Sequence, residues 1–87
     1  MGANIDEQLV FASNNGNLKF VKTLINDGAD VNAFCNLPLK RSSKNGHLEV
    51  VKYLIQNWAV IDEEAIQSAS RKGHVEIVNL LKLSLDD

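Results

Sequence analysis

The sequence has little of several residue types whose abundance would mark a particular class of protein. Its 87 residues include one cysteine, one proline and 6% aromatic residues. The lone Cys35 excludes an internal disulfide and fits a reducing compartment, so we expect an intracellular protein, cytoplasmic or nuclear. No apolar run approaches the ~18 residues that span a bilayer, and no signal-peptide pattern opens the chain, so we expect no membrane contact.

Basic and acidic residues are nearly balanced in number. Nine basic and 11 acidic residues give a formal net charge of −2, which supplies no bulk attraction to nucleic acid. The sequence also lacks a glycine-rich phosphate loop, and it has neither a second cysteine nor two histidines at metal-ligand spacing. We therefore predict no cofactor and no metal site.

What the sequence does contain is one segment that occurs three times. Residues 15–25 read NGNLKFVKTLI, residues 45–55 read NGHLEVVKYLI and residues 72–81 read KGHVEIVNLL. Apolar residues at i, i+3 and i+6 or i+7 after the glycine follow one face of a helix. We assign these three positions to Leu18, Leu48 and Val75, then Val21, Val51 and Val78, then Leu24, Leu54 and Leu80. The glycines lie 30 and 27 residues apart, which is typical of stacked repeats.

Helix-start and helix-stop signals predict an all-α chain of three helix hairpins. The six helices are expected at residues 5–14, 18–26, 38–44, 48–56, 63–71 and 75–83. Asn4 with Glu7 resembles a capping box, and Asn17 and Asp62 can each cap a helix. Pro38 suits the first turn of the third helix.

The two longer connections begin differently. Gly28 suits the left-handed residue that follows a helix C-terminus. Trp58 stands at the matching position, where a side chain makes that conformation costly. We therefore expect Asn57 to adopt the left-handed conformation in its place.

These motifs resemble those of ankyrin repeats, whose signature is TPLHxA, two variable residues, GH, a helix ending in LL, and GADVN. Residues 28–32 read GADVN, residues 37–39 read LPL, and residues 46–55 are similar to the second helix. The resemblance covers residues 6–83 and implies a solenoid of three helix-turn-helix repeats. The length of the chain predicts one domain, residues 1–87, and the resemblance implies repeats near 5–33, 34–61 and 62–85. The shortened connections are similar to those of divergent ankyrin arrays in large DNA viruses and protists.

The sequence also departs from the family pattern. Gln8 and Ala65 stand where the signature proline is expected. The signature histidine is replaced in the three repeats by Val10, Lys40 and Gln67, so the hydrogen bond that it usually makes between loops is expected to be missing. The shorter connections make extended β-hairpin fingers unexpected.

No constellation of residues predicts catalysis. His47 and His74 occupy equivalent repeat positions, so we assign them to packing and hydrogen bonding at helix starts. Glu63 and Glu64 are adjacent in sequence and point to different sides of a helix. We predict that the protein is not an enzyme.

The resemblance implies a module that binds another protein through the concave side of the stack. The candidate contact residues are Asn14, Asn15, Phe34, Asn36, Arg41, Lys44, Asn45, Trp58, Arg71 and Lys72. Trp58 could instead pack over the end of its hairpin, and Phe34 could belong to the core. The alternative function is a structural scaffold, either designed or excised from a longer array.

Five basic residues could align into a stripe when the repeats stack: Lys40, Arg41, Lys44, Arg71 and Lys72. Such a stripe could meet an acidic protein surface, form a solvated face or bind a phosphate backbone. The acidic balance of the chain favours the protein surface over nucleic acid. The apolar residues of the last helix, including Leu83 and Leu85, also allow self-association through the third repeat.

Overall fold

The computed structural model describes residues 4–85, which form six α-helices. They are α1 Ile5–Asn15, α2 Leu18–Asn26, α3 Ala33–Lys44, α4 Leu48–Gln56, α5 Glu63–Arg71 and α6 Val75–Leu85. Within this range there is no strand, which confirms the all-α prediction. None of these helices is long and apolar enough to cross a membrane. The predicted domain limits, residues 1 and 87, lie outside the described residues.

The helix caps form as the sequence predicts. The Asn4 side chain accepts from the Asp6 N–H at 2.7 Å, and the Asn4 N–H donates to Glu7 Oε1 at 3.4 Å, which completes the capping box. Asn17 and Asp62 accept hydrogen bonds from first-turn N–H groups of α2 and α5, at 3.1 and 3.2 Å. Each cap satisfies a backbone donor that the helix itself leaves unpaired.

The core lies between the two helices of each hairpin and between neighbouring hairpins. Leu9, Leu39 and Ala65 line it from the first helices, and Leu24 and Leu54 from the second.

The alignment of the third repeat with the first two was wrong at Leu80. Leu81 is fully buried, whereas Leu80 is only half-buried. Leu24, Leu54 and Leu81 each lie eight residues after their glycine, while Leu80 lies one position earlier and is turned about 100° around the helix. Leu81 is therefore the third-repeat equivalent.

The prediction for the second connection was also wrong. Trp58 adopts the left-handed conformation with φ of 71°, whereas Asn57 has φ of −104°. The reason is the hydrogen bond that ends the hairpin: the Ala59 N–H donates to the Leu54 carbonyl at 3.0 Å. The first hairpin ends with the same bond at the same spacing, so the left-handed residue must stand at the Gly28 position whatever its side chain.

The start of α3 contains a left-handed turn. Phe34, Cys35 and Asn36 have φ values of 54°, 57° and 67°. The regular right-handed helix therefore begins after Asn36, and Pro38 stands in its first turn as predicted.

The six helices form two layers. The first helices of the hairpins, α1, α3 and α5, stack closely side by side. The second helices, α2, α4 and α6, contact one another only sparsely. The stack measures 38 × 25 × 21 Å along its principal axes. The first-helix layer carries most of the candidate contact residues.

Candidate protein-binding surface

The three hairpins are held in register at the turns that contain Gly16, Gly46 and Gly73, which we call the turn edge. His47 Nε2 lies 3.0 Å from the carbonyl oxygen of Asn14, and His74 Nε2 lies 3.1 Å from that of Lys44. Each imidazole also covers the glycine of the preceding repeat, where an added Cβ would overlap the ring. The histidines therefore pack and hydrogen-bond at helix starts, as predicted.

No group of three or more His, Cys, Asp or Glu side chains in residues 4–85 could hold a metal ion. This agrees with the separation of His47 and His74, which belong to successive joints between repeats. The turn edge is thus a structural seam, and the candidate surface lies beside it on the first helices.

Because α1, α3 and α5 stack side by side, residues at equal distances before their glycines form rows across the first-helix layer. The row two residues before the glycine contains Asn14, Lys44 and Arg71. The row five residues before it contains Phe11, Arg41 and Ser68, and the row nine residues before it contains Glu7, Leu37 and Glu64. The first repeat contributes an aromatic residue where the second contributes a cation.

A groove of about 430 Å³ lies between α1 and α3. We call it the α1–α3 groove; its apolar lining residues are Val10, Phe11, Phe34 and Leu37, and its polar ones are Glu7, Asn14 and Arg41. Phe11 is 67% exposed and Phe34 is 53% exposed, so neither belongs to the core. Three predicted contact residues, Asn14, Phe34 and Arg41, meet in this groove.

Sequence reasoning missed Phe11 altogether. A signal was available, because Phe11 precedes its glycine by five residues, where the other repeats carry the polar residues Arg41 and Ser68. Together with Phe34, Phe11 gives this groove an exposed apolar surface, a feature that is common at binding sites.

The asparagines before the glycines are partly engaged with each other. Asn45 Nδ2 donates to the backbone oxygen of Asn14 at 3.0 Å and to its Oδ1 at 2.8 Å. Asn14 Nδ2 in turn lies 3.5 Å from Asn15 Oδ1. These amides thus brace the joint between the first two repeats, although Asn15 and Asn45 remain exposed.

The opposite edge, formed by residues 28–36 and 57–62, is called the loop edge here. Asn32 joins its two loops, because its Nδ2 donates to the Trp58 carbonyl at 3.2 Å and its Oδ1 accepts from the Val60 N–H at 2.7 Å. The backbone of Trp58 is held in this way while its side chain is 86% exposed. The indole therefore does not pack over its hairpin. Asn36 is half-buried in the left-handed turn.

Lys40 forms ion pairs and is therefore not part of the predicted basic stripe. Its Nζ lies 3.5 Å from Asp62 Oδ2 and 3.5 Å from Glu64 Oε1, both in the next repeat. Partial desolvation of the ammonium group lowers the pKa of Lys40, but the two carboxylates outweigh it and raise that pKa above its ordinary value of 10.5. Lys40 thus provides a contact between repeats at the position of the signature histidine.

The rest of the stripe makes no ion pair within the described part of the chain. These residues are Arg41, Lys44, Arg71 and Lys72, and we call them the four-residue stripe. All four are exposed. The first-helix layer therefore joins an apolar groove in the first two repeats to uncompensated positive charge in the second and third.

The family model described as ankyrin repeats (3 copies) matches residues 9–86. The chain is 41% identical over 68 residues to the putative ankyrin repeat protein L66 of Acanthamoeba polyphaga mimivirus, an alignment that covers 76% of this chain and 12% of that protein. It is 31% identical over 77 residues to the ankyrin repeat and KH domain-containing protein mask-1 of Caenorhabditis elegans, covering 84% and 3%.

A third relative is the ankyrin repeat-containing protein YIL001W of Saccharomyces cerevisiae, 38% identical over 66 residues that cover 72% of this chain and 13% of that protein. The chain therefore spans only a small part of the length of these relatives. One of the three is viral, which agrees with the resemblance to arrays of large DNA viruses.

Proposed function

The chain belongs to the ankyrin-repeat family, and from this premise we propose that it binds a partner protein through the concave side of its stack. Ankyrin repeats are generally protein–protein interaction modules, and the family is generally non-enzymatic. We propose that this chain likewise has no catalytic activity of its own. Since ankyrin-repeat proteins are commonly intracellular, we also propose a cytoplasmic or nuclear location.

The packing of the two layers supports a concave first-helix side. Helices α1, α3 and α5 lie close together, while α2, α4 and α6 are more widely spaced. A stack that is tighter on one side curves toward that side. The α1–α3 groove and the four-residue stripe would then both lie on the inside of the curve.

The observation that carries the proposal is the exposure of Phe11 and Phe34 over the α1–α3 groove. Apolar surface in water costs about 25 cal/mol per Å², so covering these rings provides a driving force for association. Arg41 lies beside them, and arginine and aromatic residues are common interface hot spots. The joints at His47 and His74 fix the helices beforehand, which reduces the entropy lost on binding.

Affinity capture with charge-reversed variants tests this proposal. One bait carries R41E, K44E and R71E on the first helices, and a control bait carries K19E, K52E and K82E on the second helices. Both variants make the same change in net charge. We expect wild type and the control to retain a partner protein that the first-helix variant loses.

Either of two results would refute the assignment. A partner held equally by all three baits would show that the first helices are not the contact surface. A partner lost only by the second-helix variant would place binding on the opposite layer. If none of the baits retains a specific protein, the scaffold alternative becomes the better explanation.

Self-association through the third repeat is a second candidate, favoured by the exposure of Val75, Leu83 and Leu85. The residues that correspond to Val75 in the first and second repeats, Leu18 and Leu48, are half-buried. Sedimentation equilibrium of wild type beside L83E tests it. A dimer that L83E dissociates supports this candidate, and a wild-type monomer at all concentrations excludes it.

A further inference from the structure

We propose that the segment bound by the first-helix face is an acidic peptide with a large apolar anchor. The anchor enters the α1–α3 groove, and carboxylates that follow it lie over the four-residue stripe. This inference rests on the proposed function and adds the chemistry and the direction of the ligand.

The groove supplies the anchor site. Its volume of about 430 Å³ is near the lower end for ligand pockets, a size suited to one or two side chains of a bound segment. Four of its seven lining residues are apolar, and two of these are exposed phenylalanines. An aromatic or branched aliphatic side chain would contact both rings, which favour offset or edge-to-face packing.

The charges on either side of the groove fix the direction of the segment. Glu7 lines the groove on α1 and disfavours a ligand carboxylate there. Arg41 lines it on α3, and Lys44 lies one helical turn further along the same face. Arg71 holds the same register position as Lys44 on the adjacent helix α5. The cations of α3 and α5 therefore make the surface more positive toward the turn edge than beside Glu7.

The absence of ion pairs at these cations, within the described part of the chain, favours an anionic ligand. The carboxylates of Asp62 and Glu64 pair with Lys40, and neither forms an ion pair with a cation of the four-residue stripe. Arg41, Lys44 and Arg71 are exposed and have no ion-pair partner among the described residues, so a ligand carboxylate would meet no competing anion bound to them. Arginine also pairs with a carboxylate through two parallel hydrogen bonds, which adds geometric selectivity.

A phosphate backbone fits this face less well than a peptide. Four cations would contact phosphates, but the apolar groove beside Arg41 would be left uncovered. A peptide with an apolar anchor and adjacent carboxylates would contact both the α1–α3 groove and the four-residue stripe.

Selection from a random-peptide display library on the immobilised chain tests the inference without a known partner. The same library is selected on wild type, on F11S and on the R41E, K44E, R71E variant. Phe11 and the three cations are exposed, so these variants are expected to keep the wild-type fold, checked by circular dichroism and urea unfolding. Enriched peptides are then measured by fluorescence anisotropy.

We expect wild type to enrich peptides with a large apolar residue followed within a few positions by Asp or Glu. F11S should weaken their binding at least tenfold, and amidation of the peptide carboxylates should do the same. The charge-reversed variant should enrich peptides with Lys or Arg at those positions. K19E on α2 serves as the control and should bind the original peptides like wild type.

Neutral or basic peptides that lose binding on F11S would overturn this inference and leave the proposed function standing. Selection that yields no peptide sensitive to F11S or to charge reversal would count against both. A labelled single-stranded oligonucleotide is measured in parallel. Binding of that probe more tightly than of any enriched peptide would assign the stripe to nucleic acid instead.

Discussion

The two edges of the repeat stack are built in opposite ways. At the turn edge both joints use the same parts: an imidazole covers the preceding glycine and hydrogen-bonds to a carbonyl oxygen two residues before it. At the loop edge each connection has its own contacts. The Asp30 N–H donates to Asp6 Oδ1 at 2.8 Å in the first, whereas Asn32 holds the second.

This difference separates the contacts that stabilise the stack from the residues that are available to recognise a ligand. A contact that recurs in every joint must suit any pair of neighbouring repeats, so it keeps the same residue types and leaves little room for a specific ligand. The loop edge and the groove beside it carry the exposed aromatics Phe34 and Trp58. The turn edge therefore fixes how the repeats stack. The loop edge and the first helices carry the residues that differ from one repeat to the next.

Glycine substitutions at the turn edge should produce the largest effects. Gly46 has φ of 79° and lies under the His74 ring, whereas Gly73 has φ of 78° and nothing within 4 Å of an added Cβ. Gly46→Ala should lose about 3 kcal/mol of unfolding free energy, from left-handed strain and a displaced joint, and Gly73→Ala only about 1 kcal/mol. Urea unfolding measures both values.

Because Gly46 and Gly73 have nearly equal φ angles, Gly73→Ala is the control that measures left-handed strain without a covering ring. Gly16→Ala should behave like Gly46→Ala, because His47 covers Gly16 in the same way. Equal losses of unfolding free energy for all three variants would show that the imidazole packing contributes nothing. Glycines with and without a covering ring would then be equivalent.

Replacing a joint histidine should cost less. His47→Ala removes the contact to the Asn14 carbonyl and the ring over Gly16, for an expected loss of about 1–2 kcal/mol. His47→Asn should lose about half as much, because Asn17, at the equivalent first-repeat position, caps its helix through its side chain and His47 does not.

Both His47 variants should also lower the slope of urea unfolding, since repeats that are less well coupled unfold less cooperatively. Phe20→Ala on α2 is a suitable control, because its side chain is partly exposed and outside the joint. A stability for His47→Asn equal to or below that of His47→Ala would contradict the capping argument.

The sequence predicts the turn edge well because its signals are local and repeated. The glycines, the capping residues Asn17 and Asp62 and the role of the histidines all follow from residue type and spacing. The position of the basic residues on the first helices could also be predicted. Residues that lie 27 or 30 positions apart in the sequence come together as rows when the repeats stack.

The loop edge was harder to predict because its conformation is imposed from outside the segment. Phe34 and Cys35 adopt positive φ although neither residue type favours it. Trp58 does so because a hydrogen bond between Ala59 and Leu54 fixes its position. The loss of Lys40 from the stripe depended on carboxylates from the next repeat, a pairing across the stack that linear spacing does not specify.

Trp58→Gly should separate stability from recognition at a single position. Glycine relieves left-handed strain of about 1–2 kcal/mol but costs about 0.5–1 kcal/mol through the entropy of the unfolded chain. We expect a net gain of up to about 1 kcal/mol in urea unfolding, together with weaker capture of a partner protein, because the exposed indole is a candidate contact. Gly28→Trp in the first connection is the reverse change and should destabilise; a stabilised Gly28→Trp would contradict the strain argument.

The smallest effect is expected for the ion pairs of Lys40, whose pKa is raised by Asp62 and Glu64 against partial desolvation. A lysine with a higher pKa in the folded state stabilises that state fully below the unfolded value of 10.5, and this contribution disappears as the pH rises through the folded pKa. Lys40→Met should therefore lower the urea midpoint slightly at pH 7–9, with the difference from wild type closing above pH 10.5. Lys52→Met removes an exposed pair with Glu49 inside α4 and should leave the midpoint unchanged. Equal shifts for the two variants would mean that a contact between repeats at the loop edge is worth no more than one within a helix.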